Sequence, residues 1–105
     1  MSNIRQEHWT DDQGRPAGGV TEGTGFTISW QNGPLGRGAE RREPNGAFVE
    51  HVIEAAIGRI MFYQGSEFAS DYNAEALHYL LKALAALNLR TQNREIRKVE
   101  GTHEQ

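Results

Sequence analysis

The chain has 105 residues, a formal net charge of −3 and no cysteine, which suits one small domain and excludes disulfides, thiolate metal sites and a cysteine nucleophile. Its pI of about 5.8 argues against a general DNA or RNA binder, which needs a basic face to displace counterions. Hydrophobic residues make up 37%, and a chain this short buries little surface alone, so an oligomer is expected.

Residues 1–24 are polar and rich in Gly, Asp and Glu, a composition that predicts a flexible arm. Ile4 and Trp9 offer it a way to add a strand or dock on a partner. The start lacks the apolar core of a signal peptide, and no run approaches the ~20 apolar residues of a membrane span. A soluble, intracellular protein without a membrane partner is expected. A domain of strand plus helices should follow, over 25–105.

In "GFTISWQNG", Phe26, Ile28 and Trp30 alternate with Thr27, Ser29 and Gln31, which predicts a half-buried strand. Asn32, Gly33 and Pro34 end it in a turn, and a loop carrying Arg37, Arg41 and Arg42 follows. Asn45 is placed to cap a helix over about 46–64. There Val49, Val52, Ile53, Ala56, Ile57 and Ile60 recur at three- and four-residue spacing. Gly58 inside it costs about 1 kcal/mol against alanine and is expected to mark a close helix contact. A second helix, capped by Ser70 or Asp71, is predicted over about 71–94 from Leu77, Leu80, Leu84 and Leu87. Two long helices with a short connection pack antiparallel. The tail is charged, and Gly101 reads as a stop.

No motif calls for an enzyme or a metal. "GPLGRG" lacks the Lys–Ser/Thr of a phosphate loop and reads as a turn. His8, His51, His78 and His103 do not share a helix at four-residue spacing. Glu50 and Glu54 share a helix face but read as solvated, and no serine has a nucleophile-elbow context. No catalytic residue, metal or cofactor is expected.

Three features have two readings each. Arg90 and Arg94 share a helix face, with Arg97 and Lys98 behind; they complement the helix dipole or converge on phosphates. Tyr63 fills the tip of the hairpin, or stacks on a nucleobase. Asn73 caps locally, or pairs with an adenine edge.

"FTISWQNGPLG", then "NGAFVEHVIEAAIGRIMFYQGSEFASDYNAEAL", then "ALAALNLRTQNREIRKVEGTH" together resemble a phage family, the Thoeris anti-defence sponges of the first type. These share a helical-hairpin domain with anti-CBASS sponges. The resemblance covers residues 25–103. It implies an α+β fold: a small antiparallel sheet plus a long antiparallel two-helix hairpin, assembled as dimers and up to hexamers. It also implies sequestration, without degradation, of small cyclic nucleotide signals such as glycocyclic ADP-ribose, with cyclic oligonucleotides held by some members.

Residue by residue, Tyr63 matches the family aromatic that stacks on the base, in place of the usual phenylalanine. Asn73 matches the asparagine on the base's other side, and Arg90 matches an arginine that contacts the ligand. Arg94 and Arg97 match the arginine motif. An arginine of the loop after the strand is expected to reach the ligand, with Arg37 nearest and Arg41 and Arg42 behind it. The chain departs from the family in a longer, more basic loop, in "GSEF" with Glu67 at the rim, and in Lys98 where a glycine is usual. The implied function is an anti-defence sponge acting in the cytoplasm of an infected bacterial host, with the site at the hairpin ends and shared between protomers. The rivals are an enzyme that degrades the signal and a structural hairpin with no nucleotide ligand.

Overall fold

The computed structural model describes residues 3–33, 39 and 42–101, the last eight by backbone alone. The chain divides into two compact units, Met1–Phe48 and Val49–Gln105.

The first unit holds an antiparallel sheet of β1 (Arg5–Thr10), β2 (Pro16–Gly23) and β3 (Phe26–Trp30), in that order. It corrects the expectation of a flexible arm at 1–24, because β1 and β2 lie there. Composition misled because β1 carries no apolar alternation, and all six of its residues are exposed. Its order comes from pairing and turn chemistry instead. The Asp11 carboxylate accepts from the backbone N–H of Gln13 and of Arg15 and pairs with the Arg15 guanidinium. That is an Asx-type turn, and it starts the β1–β2 hairpin. Gly25, at φ +88°, closes the short β2–β3 turn in a conformation that glycine takes without steric cost.

Register puts Gln6, Thr21 and Ile28 opposite one another across the three strands, so they share a face. The Trp30 indole N–H donates to the Thr21 hydroxyl at 2.8 Å, which donates to the Gln6 side chain at 3.1 Å. Thr21 is the buried polar side chain of the described residues, and these two bonds satisfy it. The expected strand at Phe26–Trp30 is present, with Ile28 and Trp30 half-buried on its inward face.

Asn45 does not cap a helix, which corrects that expectation. Its amide clamps Asn32 instead, accepting from the Asn32 N–H at 2.8 Å and donating to the Asn32 carbonyl at 3.0 Å. Ala47 then pairs in parallel with β3, exchanging bonds with Ser29 and Gln31. The backbone here stays extended, so the helix cannot start before Val49. Gly46 makes this possible: a Cβ there would stand 2.6 Å from the Trp30 carbonyl.

The second unit holds two helices, α1 (Val49–Gln64) and α2 (Asp71–Gly101). On α1, Val52, Ile53, Ile57 and Ile60 are among the covered positions, and on α2 Leu77, Leu80, Leu84 and Leu87. The α2 stripe matches the expected one, whereas on α1 the expected Val49 and Ala56 are exposed. Ile57 is the buried hydrophobic side chain of the described residues. Gly58 marks no close contact, since a Cβ there would meet nothing within 4 Å. α2 runs seven residues past the expected end at 94. Arg94, Glu95, Arg97 and Lys98 are all good helix formers, so a charged tail did not mean an irregular one. No helix among the described residues is long and apolar enough to cross a membrane.

Candidate functional site

The link between α1 and α2 is a wound turn held by side chains. The N–H of Gly65 returns to the carbonyls of Met61 and Phe62, and that of Ser66 to the carbonyl of Tyr63. The Ser66 hydroxyl donates to the same Tyr63 carbonyl at 2.6 Å and accepts from the Phe68 N–H. The Ser70 hydroxyl accepts from the Asn73 N–H at 3.0 Å, so Ser70 is the N-cap of α2.

Gln64 ties the two ends of this turn together. Its amide accepts from the Ser70 N–H at 2.9 Å and donates to the Ser70 carbonyl at 3.0 Å. The Asn73 side-chain nitrogen donates to Gln64 Oε1 and to the Phe68 carbonyl, both at 3.1 Å. Gln64 therefore brings the helix end that carries Tyr63 against the helix start that carries Asn73. The Asn73 amide is thus bonded within the turn. Both amide hydrogens are spent inside the turn, so the donor needed for a bidentate adenine edge is engaged. The flat face of the amide remains, and a base can pack on it.

Tyr63 is half-buried. The Arg59 Nε–H donates to its hydroxyl at 3.2 Å, and the guanidinium carbon lies 5.0 Å from its ring centroid. The same guanidinium lies 5.1 Å from the Phe62 ring. Sequence reasoning missed Arg59. The signal was its spacing, four residues before an aromatic on one helix.

Arg90 stands elsewhere. Its guanidinium lies 3.6 Å from the Glu50 carboxylate, at the other end of the helix pair. Seventeen residues of continuous helix separate Asn73 from Arg90, about 25 Å at ~1.5 Å per residue. One chain therefore brings Tyr63 and Asn73 to one end and sets Arg90 at the other. The dipole reading of Arg90 also fails, because α2 continues well beyond it and the dipole acts within the last turn. Arg94 and Arg97 lie in α2, but their side chains fall outside the described residues, as do Arg37 and Arg41 entirely. Arg42 is described and exposed. In the first unit, Arg5 is paired with Glu22 across β1 and β2, so its charge is already met. Among the described residues, no three metal-ligating side chains gather.

No protein-family model matches the chain. It is 42% identical over 78 residues to "Thoeris anti-defense 1" of Bacillus phage SBSphiJ7, an alignment covering 74% of this chain and 52% of that protein. The chain thus spans about half the length of the curated relative it matches. An identity of this level over three quarters of the chain bears out the likeness read from the strand, turn and helix motifs, and the chain belongs to the Thoeris anti-defence family.

Proposed function

We propose that the chain is a phage anti-defence sponge. It binds a small cyclic nucleotide signal of bacterial immunity, glycocyclic ADP-ribose first and cyclic di- or trinucleotides besides, and does not degrade it. It acts in the cytoplasm of the infected host, without a cofactor. The likeness to Thoeris anti-defense 1 carries this reading. Tyr63 and Asn73 supply two flat groups for a base, and Arg90, Arg94 and Arg97 supply charge for phosphates. The mechanism is mass action, in which enough tight sites lower the free signal below what its effector needs.

The working form is an oligomer of antiparallel two-helix hairpins, a dimer or a hexamer built from dimers. Two observations support it. Large apolar side chains stand exposed along the helices and their connection, including Met61, Phe62, Phe68, Tyr72, Tyr79 and Leu89, while the buried core is small. The distance from Asn73 to Arg90, about 25 Å, is also too long for one small nucleotide to bridge within a chain. A site using both must take the base residues from one copy and the arginine from another.

Two experiments test this. Protein and glycocyclic ADP-ribose are incubated, the protein is heat-denatured, and the released ligand is analysed; intact ligand is expected, and a new product would establish degradation instead. Tyr63→Ala and Arg90→Ala are then mixed in equal amounts and allowed to exchange subunits. In a symmetric dimer about a quarter of the sites regain both native residues. Binding that stays at zero after proven exchange would refute the shared site. No binding of any cyclic nucleotide by wild-type chain in calorimetry would refute the sponge and leave the structural hairpin.

A further inference from the structure

Arg59, Phe62 and Tyr63 lie three and four residues apart on α1 and so share a face. Their contacts are specific. The Arg59 guanidinium carbon stands 5.1 Å from one ring centroid and 5.0 Å from the other, while Nε donates to the Tyr63 hydroxyl at 3.2 Å. No carboxylate pairs with Arg59 among the described residues. The cation is held by two rings and a phenol oxygen.

These two contacts constrain different motions of the Tyr63 ring. A bond to the hydroxyl lies on the ring axis, so it fixes where the axis points and permits rotation about it. A guanidinium over the ring disfavours that rotation, because the torsion next to the ring is otherwise broad. Together they hold the ring in one plane before any ligand arrives. Phenylalanine at this position would keep the second contact and lose the first.

We propose that Arg59 is a positioning residue for base stacking: it orients the Tyr63 ring through the hydroxyl and the π-face, and thereby raises affinity for a purine-bearing cyclic nucleotide. The inference rests on the sponge reading, in which Tyr63 stacks on the base. It adds a role for the hydroxyl and for a residue outside the family pattern read from the sequence. Ordering a half-buried aromatic on binding costs affinity, so preorganising Tyr63 is worth about 2- to 10-fold in Kd.

Calorimetry with glycocyclic ADP-ribose tests it on the full chain, using wild type, Arg59→Gln, Tyr63→Phe, the double variant and Tyr63→Ala. Each conservative single variant is expected to weaken binding by about 2- to 10-fold, with the double variant little weaker than the worse single. Effects that multiply would show that Arg59 acts apart from Tyr63 and overturn the proposal, as would an Arg59→Gln variant that binds like wild type. Tyr63→Ala probes the underlying reading separately: near-native binding there would remove Tyr63 from the site and both ideas with it. Wild-type chain that binds no ligand would overturn both too. A ligand-free measurement stands beside these. The Arg59 Nε–H should exchange more slowly with water in wild type than in Tyr63→Phe by nitrogen-detected NMR, and equal rates would overturn the anchor.

Discussion

Replacing Gln64 by alanine should loosen the whole α1–α2 connection. Three hydrogen bonds end on that amide: two exchanged with the Ser70 backbone, at 2.9 and 3.0 Å, and one from Asn73 at 3.1 Å. A net hydrogen bond contributes about 0.5–1.5 kcal/mol. Gln64, Ser70 and Asn73 are half-buried, so water recovers part of what the substitution removes. The expected loss is about 2 kcal/mol, below the simple total of three bonds. With a urea slope of about 1–3 kcal/mol per molar, the unfolding midpoint should fall by roughly 1 M. Far-ultraviolet circular dichroism follows it directly, since both helices lie in the second unit. Protein concentration must be held fixed, because any subunit association would add to apparent stability.

Gln64→Glu sharpens the test. A carboxylate keeps the acceptor for the Ser70 N–H and for the Asn73 amide, but it cannot donate to the Ser70 carbonyl and sets an oxygen against it. Its midpoint should fall between those of wild type and Gln64→Ala. A shift below about 0.25 M for the alanine variant would mean that the turn is held by its backbone and the Ser66 and Ser70 hydroxyls, and the clamp assigned to Gln64 would be wrong.

Glu50→Gln should free Arg90 of its partner at 3.6 Å. The Arg90 side chain is 56% exposed, so the pair is worth about 0–1 kcal/mol. Glycocyclic ADP-ribose binding should tighten by at most about fivefold in calorimetry, most at low salt. Gly46→Ala should destabilise the first unit by about 1–3 kcal/mol, because the new methyl would meet the Trp30 carbonyl carbon and oxygen, each at 2.6 Å. The loss should appear as a lower midpoint followed by tryptophan fluorescence. The Asp11 carboxyl is held below its ordinary range, first by the Arg15 N–H and then by the Gln13 N–H. A lowered folded-state pKa gives stabilisation that is present above the unfolded value and lost as pH falls through the folded one. The Gln13 and Arg15 amide signals should therefore hold at neutral pH and shift only in acid below the usual aspartate range, and Asp11→Asn should remove that acid transition.

The helices were legible because their apolar positions repeat at three and four residues, and that period is the one burial imposes on an amphipathic helix. The same rule found β3, where Ile28 and Trp30 turn inward. It could not find β1 or β2. "RQEHWT" has no buried face to encode, and "PAGGVTEG" is ordered through pairing with its neighbours on both sides. The turn signal "DDQG" was there, but nothing apolar flanked it in a period-two pattern. Asn45 misled for a related reason. An asparagine before an apolar run is a good cap in isolation, yet its amide fits the Asn32 backbone as well, and local sequence cannot rank a near partner against a distant one. The candidate site was legible in its residue types and not in its layout. Tyr63, Asn73 and Arg90 were each identifiable. Their separation depends on where α1 ends, on the length of the turn, and on α2 continuing straight past Arg90.

The turn also decides what kind of recognition Asn73 could perform in the proposed site. An amide that reads a base edge needs a free donor beside a free acceptor. Here the donor hydrogens go to Gln64 and to the Phe68 carbonyl, and breaking either to reach a ligand would loosen the connection that places Asn73. Affinity drawn from Asn73 must therefore come from its face, which the turn holds rigid at no further cost on binding. Arg59 does for Tyr63 what Gln64 does for Asn73, since each fixes a flat group from outside through side-chain hydrogen bonds. Two flat groups held in this way favour flat ligands in general over one base in particular. Discrimination among cyclic nucleotides then falls to whatever meets their phosphates and sugars. In the proposed oligomer, the Arg90 end of another copy would supply it.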